Sequence, residues 1–138
     1  MHMADTLKLE IVTPVEIAFS EAVEMVTLPA IEGQIGVYPA HVRLITQIEP
    51  GEIIVHANGQ ERFLAVGEGL VEVTPTSVSI VTDMAIPAEH IDEAKAEEAR
   101  ARAAARLREK ISDEEVATVN ASLVRSLAQL QVKRRRRP

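Results

Sequence analysis

No cysteine occurs among the 138 residues. Disulfide frameworks, thiol nucleophiles and thiolate zinc sites are therefore excluded, and the redox compartment stays open. Aromatic side chains are nearly absent, with Phe19, Tyr38 and Phe63 and no tryptophan. A base-stacking platform needs several such rings, so nucleic-acid binding is not expected. No apolar run approaches the roughly 18 residues of a membrane span. The start, Met1-His2-Met3-Ala4-Asp5, lacks the basic and apolar stretches of a secretory signal. These absences point to a soluble, cytoplasmic chain, which is still compatible with a place on a membrane complex. His2, His41, His56 and His90 are scattered without ligand spacing, so no metal is expected. Nor does any motif assemble a nucleophile, a base and an orienting group, so no catalytic residue is expected.

Charge is distributed unevenly. Residues 1–87 hold 12 acidic and 3 basic side chains, a balance of −9, whereas residues 88–138 hold 9 acidic and 12 basic, a balance of +3. The sequence period changes at the same point, which marks a boundary.

Before Pro87 the pattern is that of strands. Leu7, Leu9 and Ile11 alternate with Lys8 and Glu10. Val23 to Leu28 makes a short run that Pro29 is expected to end. Glu49-Pro50-Gly51 signals a turn. Asn58-Gly59 between two apolar runs predicts a type I′ hairpin, because both central residues need positive φ. Val71 to Thr74 and Val78 to Val81 flank Pro75 as a further hairpin. Short strands at this spacing predict an antiparallel sandwich or barrel, and the lack of helical stretches between them argues against a parallel α/β fold.

After Pro87 the pattern is helical, with Pro87 expected at the first helical position. Residues 88–110 are rich in Ala, Glu, Lys and Arg. Ile91, Ala96, Ala99, Ala103 and Leu107 form a stripe of mostly small side chains. Ser112-Asp113-Glu114-Glu115 reads as a capping box opening a second helix, whose apolar stripe is Val116, Val119, Leu123, Leu127 and Leu130. Two such helices make a hairpin too thin to hold a deep core, so its position should depend on what it packs against. The predicted organisation is a β domain over residues 1–87 and a two-helix C-terminal domain with a basic tail over residues 88–138.

The stretch from Leu28-Pro29-Ala30 through Gly33-Gln34-Ile35-Gly36-Val37-Tyr38-Pro39-Ala40-His41 to Val42-Arg43-Leu44-Ile45-Thr46 is similar to the epsilon family of rotary ATP synthases. Glu49-Pro50-Gly51-Glu52-Ile53, Leu70-Val71-Glu72-Val73, and Val78 to Ala85 leading to Ile91-Asp92-Glu93-Ala94-Lys95-Ala96 follow in the family's order. The resemblance implies an N-terminal β-sandwich docked on the gamma subunit and the c-ring. It also implies a helical pair that folds against the sandwich or extends into the catalytic head, of alpha and beta subunits, to restrain ATP hydrolysis. Such a subunit is non-catalytic and peripheral, held at the cytoplasmic face of a bacterial inner membrane only through the complex. Read without the resemblance, an adaptor of another assembly fits the same pattern. Three departures stand out: Gln34 where some relatives carry glutamate, Ala40 where glycine precedes the histidine, and Glu68 in place of the first glycine of a pair.

The resemblance also nominates residues. Gln34, Tyr38, His41 and Arg43 fall in the rotor-facing motif, although His41 reads first as a turn histidine anchoring its loop. Ile91, Asp92, Lys95 and Ala96, with Arg102 and Arg125, resemble the nucleotide site of some relatives and imply at most weak regulatory ATP. Lysine replaces arginine at position 95, and Gln129 and Ile86 stand where charged residues are expected, so the phosphate forks are incomplete. Arg125 and the run Lys133, Arg134, Arg135, Arg136 and Arg137 imply an inhibitory contact with an acidic segment of the beta subunits. On charge alone the run is equally a solvated tail, or a site for acidic protein, anionic lipid or nucleic acid.

Overall fold

The computed structural model describes residues 6–136. His2 and Arg137 lie outside them. Alternation builds the first strand, β1 (Leu7–Val12), with Leu7, Leu9 and Ile11 buried and Lys8 turned to solvent. Then come β2 (Ile17–Val23), β3 (Met25–Ala30), β4 (Gly33–Val37), β5 (Leu44–Ile48) and β6 (Gly51–Ala57). The set closes with β7 (Gln60–Val66), β8 (Gly69–Val73), β9 (Ser77–Thr82) and β10 (Ala85–Pro87). Their order is β10-β7-β6-β3-β5-β8-β9-β1-β2, with β4 paired to β3 off this path. The strands enclose one aliphatic core, including Leu9, Ile11, Leu28, Ile53, Leu64 and Ile80, as the expected β-sandwich.

Asn58 and Gly59 have φ of 56° and 74° and form the two-residue turn between paired Ala57 and Gln60, as the dipeptide requires. Two details differ from the strand reading. β3 continues through Pro29 to Ala30, because Pro29 still accepts at its carbonyl, from the Glu49 amide at 2.8 Å. β1 pairs β9 in parallel, a pairing that needs a long connection, and the intervening sandwich supplies it.

After β10 a 3-10 turn (Ala88–His90) leads to α1 (Glu93–Leu107) and then α2 (Asp113–Arg135). Pro87 does not open the helix. It closes β10 with φ −57° and ψ 143°. The opening of α1 is set by Asp92, whose carboxylate accepts the Lys95 amide at 3.1 Å. Ser112 caps α2 by accepting the Glu115 amide at 3.2 Å. The reciprocal half of that box is replaced, since the Glu115 carboxylate accepts from Arg106 Nη2 at 2.6 Å and ties the two helices together.

The burial of α2 departs from its expected stripe. Val116 and Leu127 are exposed, whereas Ser126, Ala128, Leu130 and Val132 are buried. The reason is geometric: α2 lies between α1 and the β6–β7 face and buries two narrow faces rather than one. Val132 and Ile91 pack on Ala65, flanked by Phe63, Met84, Ile86 and Ala88. β7 is therefore covered on both sides, with Leu64 and Val66 in the sandwich core and Ala65 beneath the helices.

Two substitutions test the backbone account. Ala40 holds φ 66°, a left-handed conformation costing a non-glycine residue about 1–2 kcal/mol. Ala40→Gly should raise stability by about 1 kcal/mol, after the entropy glycine loses, and Tm by a few degrees. Gly69→Ala should do the opposite, because its Cβ would run into the Val81 carbonyl oxygen across the β8–β9 pair. A loss of at least about 2 kcal/mol in urea unfolding is expected.

Candidate functional site

The loop after β4 carries three of the four rotor-facing candidates. Tyr38 and Arg43 are exposed there. His41 donates from Nδ1 to the Val42 carbonyl at 2.7 Å, and the Ala40 amide donates to the Pro75 carbonyl at 2.8 Å, so the loop is tied within itself and to the turn between β8 and β9. Gln34 lies at the other end of β4, roughly 13 Å away along the strand. It lines a cleft with Glu52 and Arg135 instead.

Sequence reasoning missed the apolar outer face beside this loop. Val42 and Ile45 are 75% and 71% exposed, and Leu70 and Val81 are also uncovered. Leu70 pairs with Val81 across β8 and β9, and Val81 pairs with Val12 in neither strand's core register. The signal was available: Leu70 and Val81 are apolar at positions that alternation assigns to solvent.

The nucleotide candidates are divided by the fold. Lys95, Ala96 and Arg102 line one open cleft between the helices, together with Ser126 and Gln129. Ile91 is buried against Ala65, and the Asp92 carboxylate is engaged in capping α1. Arg125 is directed to Asp83 at 3.4 Å and is not part of the cleft lining. Gln129 donates to the Met84 sulfur at 3.2 Å. Among the described residues, no group of three or more His, Asp or Glu side chains is placed to hold a metal ion.

Over its described part the basic run does not project free of the fold, although Arg134 and Arg135 stay about half exposed. Lys133, Arg134 and Arg135 continue α2, and Arg136 is its C-cap. Lys133 Nζ donates to the Ala88 carbonyl at 3.2 Å. Arg134 bridges Glu93 and Glu97 of α1 at 3.0 and 3.2 Å. Arg135 and Arg136 both reach Glu52 on β6.

Comparison with known proteins agrees over nearly the whole length. The family profile for the ATP synthase delta/epsilon chain β-sandwich domain matches residues 6–88, and that for its long α-helix domain matches residues 89–134. The ATP synthase epsilon chain of Herpetosiphon aurantiacus is 40% identical over 131 residues, covering 95% of this chain and 96% of its own. The chain belongs to the ATP synthase epsilon family. The epsilon chain of Alkalilimnicola ehrlichii is likewise 40% identical, over 96% of this chain and 95% of its own length.

Two solved structures share the fold. A chain of the Euglena gracilis mitochondrial ATP synthase assembly of OSCP, F1 and c-ring has a TM-score of 0.76 at 23% identity, covering 95% of this chain and 82% of that one. A chain of the Tetrahymena thermophila mitochondrial ATP synthase central stalk and c-ring has a TM-score of 0.56 at 12% identity, covering 92% and 96%. Membership of this family places the chain with a membrane-associated complex, and among its described residues no helix is long and apolar enough to cross a membrane. The family match gives no support to an adaptor in an unrelated assembly.

Within this epsilon-family chain, ion pairs from Arg106 to Glu115 and from Arg134 to Glu93 and Glu97 tie α1 to α2 in addition to the burial of Ala96, Ala103 and Ala128. Hydrogen bonds from Arg100, at 2.6 and 3.0 Å, hold the Glu97 carboxyl below its ordinary value of 4.5, against an opposing effect of partial desolvation. Arg134 adds to the lowering. A depressed folded-state pKa stabilises above the unfolded value, and that contribution is lost as pH falls through the folded one. Glu97 should therefore titrate below 4.5 by NMR, with the midpoint moving up in Arg134→Gln. The Arg134–Glu97 contact between the helices should be complete above the unfolded value and be lost as pH falls through the folded one.

Proposed function

We propose that this chain is a non-catalytic rotor subunit, which docks through its sandwich on the gamma subunit and the c-ring and regulates ATP hydrolysis by the position of its helices. The single observation that carries this reading is a full-length epsilon-family match joined to a hairpin seated on a thin apolar contact. Val132 and Ile91 on Ala65, burying roughly 1.5–3 kcal/mol each, are its main apolar anchors. A contact of that size permits a docked and a released state within a few kcal/mol of each other.

The sandwich supports the docking half of the reading. Tyr38, Val42 and Ile45, continuing to Leu70 and Val81, expose more apolar surface than a strand face turned to solvent requires. Gamma is the partner assigned to this face, with His41 and Arg43 at its edge. Gln34, remote from it, is assigned to the c-ring side. The complex would hold the chain peripherally, at the cytoplasmic face of the bacterial membrane. The released hairpin would offer Arg125 and the basic tail to the acidic surface of the alpha and beta head.

Residues 1–87, without the helices, should stay folded and still capture gamma, since Tyr38, Val42 and Ile45 are exposed with the helices in place, and the Leu70 edge, which shares a cleft with Val124 and Leu127 of α2, is only uncovered further by their removal. Absence of gamma from a pull-down with a folded truncation would remove the docking assignment. For nucleotide, Lys95 and Arg102 are the cations remaining in the cleft. ATP should bind the isolated chain at millimolar strength or weaker by calorimetry, about −4 kcal/mol at most. Micromolar affinity would make the hairpin an ATP sensor.

A further inference from the structure

Glu52 has only 9% of its side chain accessible, although it lies on the outer face of β6. It pairs across the sheet with Ala65, the residue on which Val132 of α2 rests. Arg136 grips it with two nearly parallel bonds, Nε at 2.9 Å and Nη2 at 2.7 Å. Arg135 adds a third at 3.3 Å. The same Arg136 guanidinium lies 3.9 Å from the centroid of Phe63 on β7. A planar cation thus meets a forked carboxylate along its edge and an aromatic ring on its face, an arrangement lysine does not reproduce.

These bonds sit at one end of a long lever. Arg136 terminates α2, and its amide donates to Val132, which makes the apolar contact one turn earlier. Lys133 on Ala88 and Arg134 on Glu93 and Glu97 close the same turn against the 3-10 segment and α1. At the opposite end Arg106 pairs with Glu109 and Glu115, both within the hairpin.

The geometry points to a latch: Arg136, assisted by Arg135, clamps Glu52 and Phe63 and holds the hairpin on the sandwich, withholding the basic tail from any acidic partner until the clamp opens. The two engagements are mutually exclusive because they use the same guanidinium groups. Removing Glu52 has a different consequence from removing the tail. Loss of the tail abolishes both engagements. Loss of Glu52 leaves every positive charge in place and frees it.

Hydrogen exchange of the isolated full chain tests this. In Glu52→Gln, amides of α2 and α1 should exchange at least tenfold faster, while those of β1, β8 and β9 keep their wild-type protection. Arg136→Gln and Phe63→Leu should accelerate the same helices, and Glu52→Gln combined with Arg136→Gln should exceed either alone by no more than about twofold. Salt at 0.5 M should bring the wild type towards the variants. Poly-glutamate serves as the acidic probe. Glu52→Gln should bind it several-fold more tightly than Glu24→Gln, a control with the same change of charge at an exposed position. Wild-type exchange in the helices of Glu52→Gln, or equal acceleration across the sandwich strands, would overturn the latch. So would equal poly-glutamate binding by the two variants. Should Glu52→Gln not fold, exchange in Arg136→Gln and Phe63→Leu decides the matter by the same criteria.

Discussion

Everything the helical hairpin does is constrained by how little apolar surface it shares with the sandwich. Ala65 is the floor of that contact, and Val132 and Ile91 are what rest on it. A small residue at this point lets α2 approach β7 closely, but it also limits what burial contributes. Polar contacts therefore decide how firmly α2 stays down. Most of them are weak: the Arg125–Asp83 and Arg134–Glu93 pairs are substantially exposed, and such pairs contribute about 0–1 kcal/mol each.

The Glu52–Arg136 pair belongs to another class. Both side chains are largely covered, and a hydrogen bond to a charged partner under those conditions contributes about 1.5–3 kcal/mol. Its asymmetry matters more than its mean. Removing one member leaves the other poorly solvated wherever the helix remains in place, so the helix is driven to lift. Arg136 remains charged at any relevant pH, its pKa being raised chiefly by the hydrogen bond to Glu52, so this contact does not titrate on the arginine side.

The sandwich is built on different terms. Its core is aliphatic and buried, its turns are fixed by local chemistry, and a parallel pairing closes β1 against β9. A fully packed domain carrying helices on a narrower apolar contact is the form that the proposed two-position regulation needs. The exposed apolar face at Ile45, Leu70 and Val81 belongs to the packed domain, where an interface gains most from preorganisation.

The sequence by itself determined what local rules govern. Alternation at Leu7, Leu9 and Ile11 gave the strand and its inward face, Asn58-Gly59 gave the hairpin turn, Ser112 gave the α2 cap, and the change of period near Pro87 separated strands from helices. Each depends on residues a few positions apart, whose backbone preferences act whatever surrounds them. The family motifs were equally legible, because they are contiguous. Only the tertiary structure decided which faces of α2 are covered, since Val116 and Leu127 fit the helical stripe as well as Ala128 and Val132 do. It also separated Gln34 from Tyr38, directed Arg125 to Asp83 rather than to Lys95 and Arg102, and gave the basic run a carboxylate on β6. Arg136 and Glu52 are 84 positions apart. No periodicity links them, and their pairing exists only once α2 has been laid along β7, where the angle of docking rather than any local preference chooses the partner.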